Sequence, residues 1–330
     1  MPVMIRKALL ILPLWASSSA LGIEFQLAEE QELVGEVAVI AARYEDTFVS
    51  LARTHNVGFE ALRRANPQVD AWLPGEGTEI TTPTRFVLPR APHRGVVINV
   101  AELRLYYFPD ADGRRVITHP ISIGRMDWST PLGATTVVSK AANPSWYPPQ
   151  SIRDEHAARN DPLPRVVPPG PDNPLGAHAL RLGLPGYLIH GTNKPSGVGM
   201  RVTHGCIRMF PEDIEALFNM IPPGTPVRIV NQPYKLGWGD GGLYLEAHPP
   251  LLEQQAEAEM QWSATELTRA YVAATAERRA EVSWESAESV MQAARGIPEF
   301  VSIAAIPADL PQPLTADNES DPGESASDIR

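Results

Sequence analysis

Cysteine is almost missing from this chain: 330 residues contain one, Cys206. A single thiol cannot close an internal disulfide, and without a Cys-x-x-Cys pair there is no zinc site of familiar spacing. Long apolar runs are missing as well. Residues 8–16 form the apolar core of the N-terminus, too short for a membrane span of about 20 residues. No block of Lys or Arg points to nucleic acid as a partner, and no internal repeat is present. Net negative charge is scarce outside the tail: residues 1–250 hold 24 Asp and Glu against 23 Lys and Arg. Residues 251–330 hold fifteen Asp and Glu against five Arg, so ten of the eleven net negative charges lie there. What the chain has is enough apolar material for a core, 43% of residues, and a length that allows two domains or one domain with extensions.

Arg6-Lys7 precede the short apolar run and Ser18-Ser19-Ala20 follow it, the layout of a secretory signal over residues 1–20. A cleaved signal implies export; an uncleaved anchor is the alternative. No cysteine stands near the cleavage site to be acylated, which excludes a lipoprotein. An unpaired thiol in an exported protein marks a candidate reactive group.

That thiol lies in a distinctive setting. Tyr187-Leu188-Ile189-His190-Gly191-Thr192-Asn193 is followed, after a Gly-containing spacer, by Arg201-Val202-Thr203-His204-Gly205-Cys206-Ile207-Arg208. A thiol attacks as thiolate and is mostly protonated at neutral pH, so it needs a nearby imidazole to take the proton. His190, at the end of the apolar run Leu188-Ile189, is the candidate base. The imidazole needs a partner to fix its tautomer, either a side chain or a backbone carbonyl. Gly205 allows close approach of a substrate carbonyl, and the Gly205 and Cys206 N–H groups are candidate oxyanion donors. Two duller readings stand beside this one: an inert buried cysteine, and a zinc site of His190, His204 and Cys206, which lacks a fourth ligand.

His-Gly-Thr-Asn, the spacer and Thr-His-Gly-Cys-Ile-Arg together resemble the signature of the L,D-transpeptidases with a YkuD-type catalytic domain, in the ErfK/YbiS branch. The resemblance spans residues 95–232, with flanking similarity from about residue 36. It implies a β-sandwich in which Cys206 forms a thioester with a peptidoglycan stem peptide. His190 would be the base, oriented by the Gly191 carbonyl, with His204 shaping the site beside the nucleophile. No metal or cofactor is implied. The acceptor would be an amine of another stem peptide, a lysine of an outer-membrane lipoprotein, or water, which would make the protein a hydrolase. Many members carry Asn where this chain has Arg208. Because Arg makes forked bonds to carboxylates, Arg208 is a substrate-binding candidate, with Arg201 and Thr203 beside it. Two rivals are a cysteine peptidase of the NlpC/P60 kind, whose cysteine precedes its histidine in the chain, and a non-catalytic wall-binding protein.

The chain in order gives a mainly β protein. Residues 36–89 form a small module with short helices at residues 47–51 and 59–65, the second stopped before Pro67. Tyr44-Glu45-Asp46-Thr47-Phe48, Asn56-Val57 and Asn66-Pro67 resemble a LysM module, a glycan-binding βααβ fold, closed here by Phe86-Val87-Leu88-Pro89. From residue 95 short strands alternate with turns, including a hairpin across Asp110-Ala111-Asp112-Gly113, as in an all-β sandwich. Leu103, Leu105 and Tyr107 alternate with positions expected to be exposed. Residues 143–174 hold nine prolines and read as an irregular loop bordering the substrate cleft, with Asp154, Glu155 and His156 as solvated charges. A helix opens at Pro211 and runs to Met220, and residues 227–230 close the catalytic domain. Residues 249–297 read as a helical extension, with one stripe of Met260, Ala264, Leu267 and Tyr271 and another of Trp284, Ala287, Met291 and Ala294. Residues 307–330, rich in Pro, Ser, Asp and Glu, read as a disordered acidic tail.

Overall fold

The computed structural model describes residues 22–251 and 264–304. The expected signal segment, Met260 and the acidic tail lie outside the described residues. Nine strands form one sheet, in the order Ile23–Gln26, Arg115–Pro120, Arg104–Phe108, Gly95–Asn99, Pro226–Val230, Gly133–Ala142, His178–Leu182, Leu188–His190 and Ile207–Arg208. All neighbours are antiparallel except two pairs: Gly95–Asn99 with Pro226–Val230, and Leu188–His190 with Ile207–Arg208. The hairpin at residues 110–113 forms as expected. Gly113 sits at φ +67°, open to glycine at little cost, and its N–H donates to the Asp110 carbonyl at 3.1 Å.

The sheet curls back on itself. Ser122, just beyond Arg115–Pro120, exchanges backbone hydrogen bonds of 2.8 and 2.9 Å with Arg208 of the last strand. Val96, Ile98, Leu105 and Ile117 from one half therefore face Val137, Leu180, Ile189 and Ile207 from the other, and Ile214 and Leu217 of helix Pro211–Met220 complete the core. The expected sandwich is thus one mixed sheet folded over a single core.

Strand Arg104–Phe108 departs from the expected alternation. All five residues are buried, because the outer face is covered too. Tyr106, Phe108, Val97 and Val116 pack there against Phe86, Leu88 and Val34. The strand Arg85–Val87 that brings Phe86 pairs with Leu33–Gly35 and does not close the small module. The closing strand is Glu79–Thr82, paired with Ala38–Ala41. Its sequence Glu-Ile-Thr-Thr is too polar to read as a strand, yet alternation buries Ile80 and Thr82. Between these strands lie helices Phe48–Thr54 and Phe59–Ala65, in βααβ order. Thr47 caps the first through a reciprocal box with Ser50.

The module docks on the part built around the large sheet through backbone and buried polar contacts. The Phe59 and Glu60 N–H groups donate to the Val198 and Gly199 carbonyls at 3.4 and 3.2 Å. Asn56 Nδ2 lies 2.9 Å from both carboxylate oxygens of buried Asp213, which also meets His119 Nδ1 at 3.1 Å.

Between residue 232 and the expected helical extension of residues 249–297 lies a hairpin that the sequence does not announce. Within that extension the described elements are helices Ala264–Ala274 and Trp284–Ala293 with the short strand Glu281–Val282 between them. Strands Tyr234–Gly239 and Gly242–Ala247 form a hairpin joined by Glu299–Phe300, and helices Ala264–Ala274 and Trp284–Ala293 pack on it through Leu267, Ala287 and Met291. Gly237 and Gly239 hide this hairpin from sequence reading. Structurally they are needed: a Cβ would come within 2.7 Å of Val87 Cγ1 at the first and of Leu33 Cδ2 at the second. The junction holds a buried ionic cluster. Lys235 Nζ meets Glu102 and Glu246 and donates to the Val87 carbonyl at 2.7 Å.

Candidate active site

The parallel pair at the end of the sheet sets the site. Ile189 lies opposite Ile207, and His190 opposite Arg208. Strand alternation sends the two isoleucines into the core and the other two side chains to the opposite face. Cys206 immediately precedes its strand and falls on the His190 side, with the Arg208 guanidinium near enough to act electrostatically on both.

His190 is buried, and its Nδ1 lies 2.7 Å from the Gly191 carbonyl oxygen. A carbonyl only accepts, so Nδ1 carries the hydrogen and Nε2 keeps its lone pair. Burial, with Arg208 second, pushes the imidazole down to about 4. The Cys206 thiol is pushed up by burial, against the Leu188 N–H and Arg208, which favour the thiolate. Its hydrogen bond runs to the Gly186 carbonyl at 3.6 Å. The resting pair is therefore neutral thiol and neutral imidazole.

The turn carrying the thiol is tied at several points. The buried Thr203 hydroxyl donates to the Cys206 carbonyl at 2.6 Å. Thr130 Oγ1 accepts from the Gly124 N–H and donates to the Gly205 carbonyl at 2.9 Å. Gly205 adopts φ +98°, and a Cβ there would sit 2.9 Å from Tyr187 Cε1, so the position requires glycine. Among the described residues neither the Gly205 nor the Cys206 N–H has a protein acceptor. Arg201 Nε donates to the Gly124 carbonyl at 3.3 Å. Arg208 is half-buried and its Nε has no partner.

Comparison with known proteins agrees with this geometry. Residues 93–229 match the L,D-transpeptidase catalytic domain family, YkuD. The chain is 48% identical over 211 residues to the probable L,D-transpeptidase YcfS of Escherichia coli K12, covering 62% of this chain and 65% of YcfS. It is 41% identical over 249 residues to the probable L,D-transpeptidase YbiS of the same strain, covering 74% of this chain and 81% of YbiS. The probable L,D-transpeptidase ErfK/SrfK of that strain matches at 40% over 251 residues, covering 74% and 80%. The chain belongs to the L,D-transpeptidase family.

In this L,D-transpeptidase, sequence reading missed the surroundings of His204. Residues 150–158 are a helix, Gln150–Ala158, within the proline-rich segment. Pro148-Pro149 and Pro162 bracket a proline-free stretch, residues 150–161, in which the nine-residue helix is too short to show a period. Glu155 is not a solvated charge: its Oε2 lies 2.9 Å from His204 Nε2 and 2.6 Å from Arg125 Nη2. The only sequence signal was a carboxylate inside a proline-free stretch. The ligand atoms of His190, His204 and Cys206 do not converge on a metal position among the described residues. The group that does, Glu102, Glu246 and His248, already surrounds the Lys235 ammonium. No helix among the described residues is long and apolar enough to cross a membrane.

Proposed function

We propose that this enzyme acylates Cys206 with a peptidoglycan stem peptide and passes the acyl group to an amine in the periplasm. The observation that carries the reading is the His190 Nδ1 bond to the Gly191 carbonyl, which leaves Nε2 as the acceptor on the face that bears Cys206. His190 Nε2 takes the thiol proton as sulfur attacks the carbonyl carbon of the third stem residue. The resulting oxyanion is received by the Gly205 and Cys206 N–H groups. The tetrahedral species collapses, the imidazolium returns its proton to the departing amine of D-alanine, and a thioester remains. An acceptor amine then attacks the thioester, loses its proton to His190, and the thiol is regenerated.

The roles of the flanking residues follow from their contacts. Arg208, half-buried beside Cys206, turns the outer nitrogens of its guanidinium to a stem carboxylate, and Arg201 is a second cation at the rim. Thr203 ties the turn together, because its hydroxyl is spent on the Cys206 carbonyl. The module at residues 36–89 binds glycan in the manner of LysM modules. Tyr44 and Trp72 are exposed on it, and Trp72 lies 6.0 Å from the Phe59 ring. The Arg6-Lys7 segment and Ala20 mark residues 1–20 as the export signal. The acceptor is a second stem peptide, giving a crosslink, or a lipoprotein lysine, giving attachment to the wall.

Incubation with disaccharide-tetrapeptide, followed by intact-protein mass, tests the reading. The expected result is an acyl adduct on Cys206 with one D-alanine released, absent in Cys206→Ala. Release of D-alanine with full activity in Cys206→Ala would overturn it. Products made with water alone would make the protein a hydrolase.

A further inference from the structure

Helix Gln150–Ala158 buries one apolar residue, Ile152. Its polar attachment centres on Glu155, whose side chain is 18% exposed. One carboxylate oxygen is shared by Arg125 and His204, and the other meets Arg159 one turn along the same helix. Of the two outside partners, His204 belongs to the catalytic turn itself and Arg125 to the strand end beside it. Arg125 follows Gly124, the strand partner of Thr203, and its N–H donates to the Thr203 carbonyl at 3.0 Å. His204 stands one residue before Gly205. The imidazole is gripped twice, by the carboxylate at Nε2 and by the Trp128 ring, edge to face at 5.2 Å and 76°. Arg125 and His204 hold the Glu155 carboxyl at about 2, so it stays ionised through the working range.

A side chain fixed in this way cannot rotate without moving its backbone. The backbone of His204 leads into Gly205 at φ +98°, and so into the two N–H groups aimed at the oxyanion. We infer that Glu155 is a positioning residue of the acyl transfer, acting through His204 to hold the Gly205-Cys206 turn and joining that turn to the helix Gln150–Ala158. This rests on the acyl-transfer reading above. Glu155 touches no reacting atom. Its removal leaves the thiol and base in place and lets the donor N–H groups wander, which affects the transition state more than substrate binding.

The test is a two-background comparison in the full-length protein. Glu155→Gln keeps the shape and removes the charge. Its rate of Cys206 acylation by disaccharide-tetrapeptide should fall about tenfold or more, with KM for the donor within about twofold. Glu155→Asp should recover part of the loss. In a His204→Ala background Glu155→Gln should cost nothing further, since the route is already cut. The backbone amide resonances of Gly205 and Cys206 give a readout independent of turnover: Glu155→Gln should shift them when His204 is present and not when it is absent. Equal losses in both backgrounds, or wild-type rates in Glu155→Gln, would overturn the inference. Should the wild-type protein form no Cys206 adduct at all, the acyl-transfer reading fails. The amide resonances then decide alone whether Glu155 positions the turn.

Discussion

His190 is an unusual base in that it starts out reluctant. Burial holds it at about 4, against about 6.5 for a free imidazole, so it is uncharged at neutral pH. Because the shift is downward, the base form survives as pH falls and disappears only through about 4. The acid limb of Cys206 acylation should therefore lie near pH 4, not near 6.5, when initial rates are followed by adduct mass across pH. His190→Asn should lose about 10²–10⁴ in that rate. The same shift has a cost in stability. Between about 6.5 and 4 the unfolded chain binds a proton that the native protein refuses, so stability present above 6.5 is lost as pH drops through that window. Wild type should lose up to about 3 kcal/mol more than His190→Asn across it, by urea denaturation. At this scale much was legible. A lone Cys in Thr-His-Gly-Cys and a His after an apolar run carry their own chemistry, whereas Glu155 is 49 residues from His204 along the chain and nothing local ties them.

At the scale of elements, the segment between His190 and Cys206 is held from outside. Gly199, at φ +85°, lets the Pro195–Gly197 turn and its neighbours lie against Gly58, where an added Cβ would meet the Gly58 Cα at 2.3 Å. Gly199→Ala should force the module away from this loop and destabilise the protein by about 1–3 kcal/mol, read as a lowered urea midpoint. Arg53→Ala, which breaks the neighbouring ion pair with Glu212, should change it by less than about 1 kcal/mol, because that pair, with side chains 46% and 31% exposed, is still reached by solvent. Short elements with strong punctuation were legible: Phe59–Ala65 stops before Pro67 and Pro211–Met220 starts at its proline. Elements whose identity depends on a distant partner were not. Glu79–Thr82 and the Tyr234–Ala247 hairpin become strands only because something packs on Ile80, Gly237 and Gly239.

For the molecule as a whole, the junction of its three parts is ionic and dry. Lys235 stands between Glu102 and Glu246, with side chains 1–2% exposed, and His248 is pushed down to about 3, chiefly by burial. Lys235→Met should strand two carboxylates away from water and cost about 3–5 kcal/mol. Glu102→Gln added to it should return part of that, by thermal melting of both variants. Strand Arg104–Phe108 lies at the same junction with apolar neighbours on both sides. A fragment trimmed to residues 93–229, the stretch shared with the family, would keep every catalytic atom yet lay bare Tyr106, Phe108 and Val116 on its back. Such a fragment should clump or bind hydrophobic dyes where the full chain does not. The flanks of this enzyme are the lining of its rear wall, and the catalytic half was never built to stand without them.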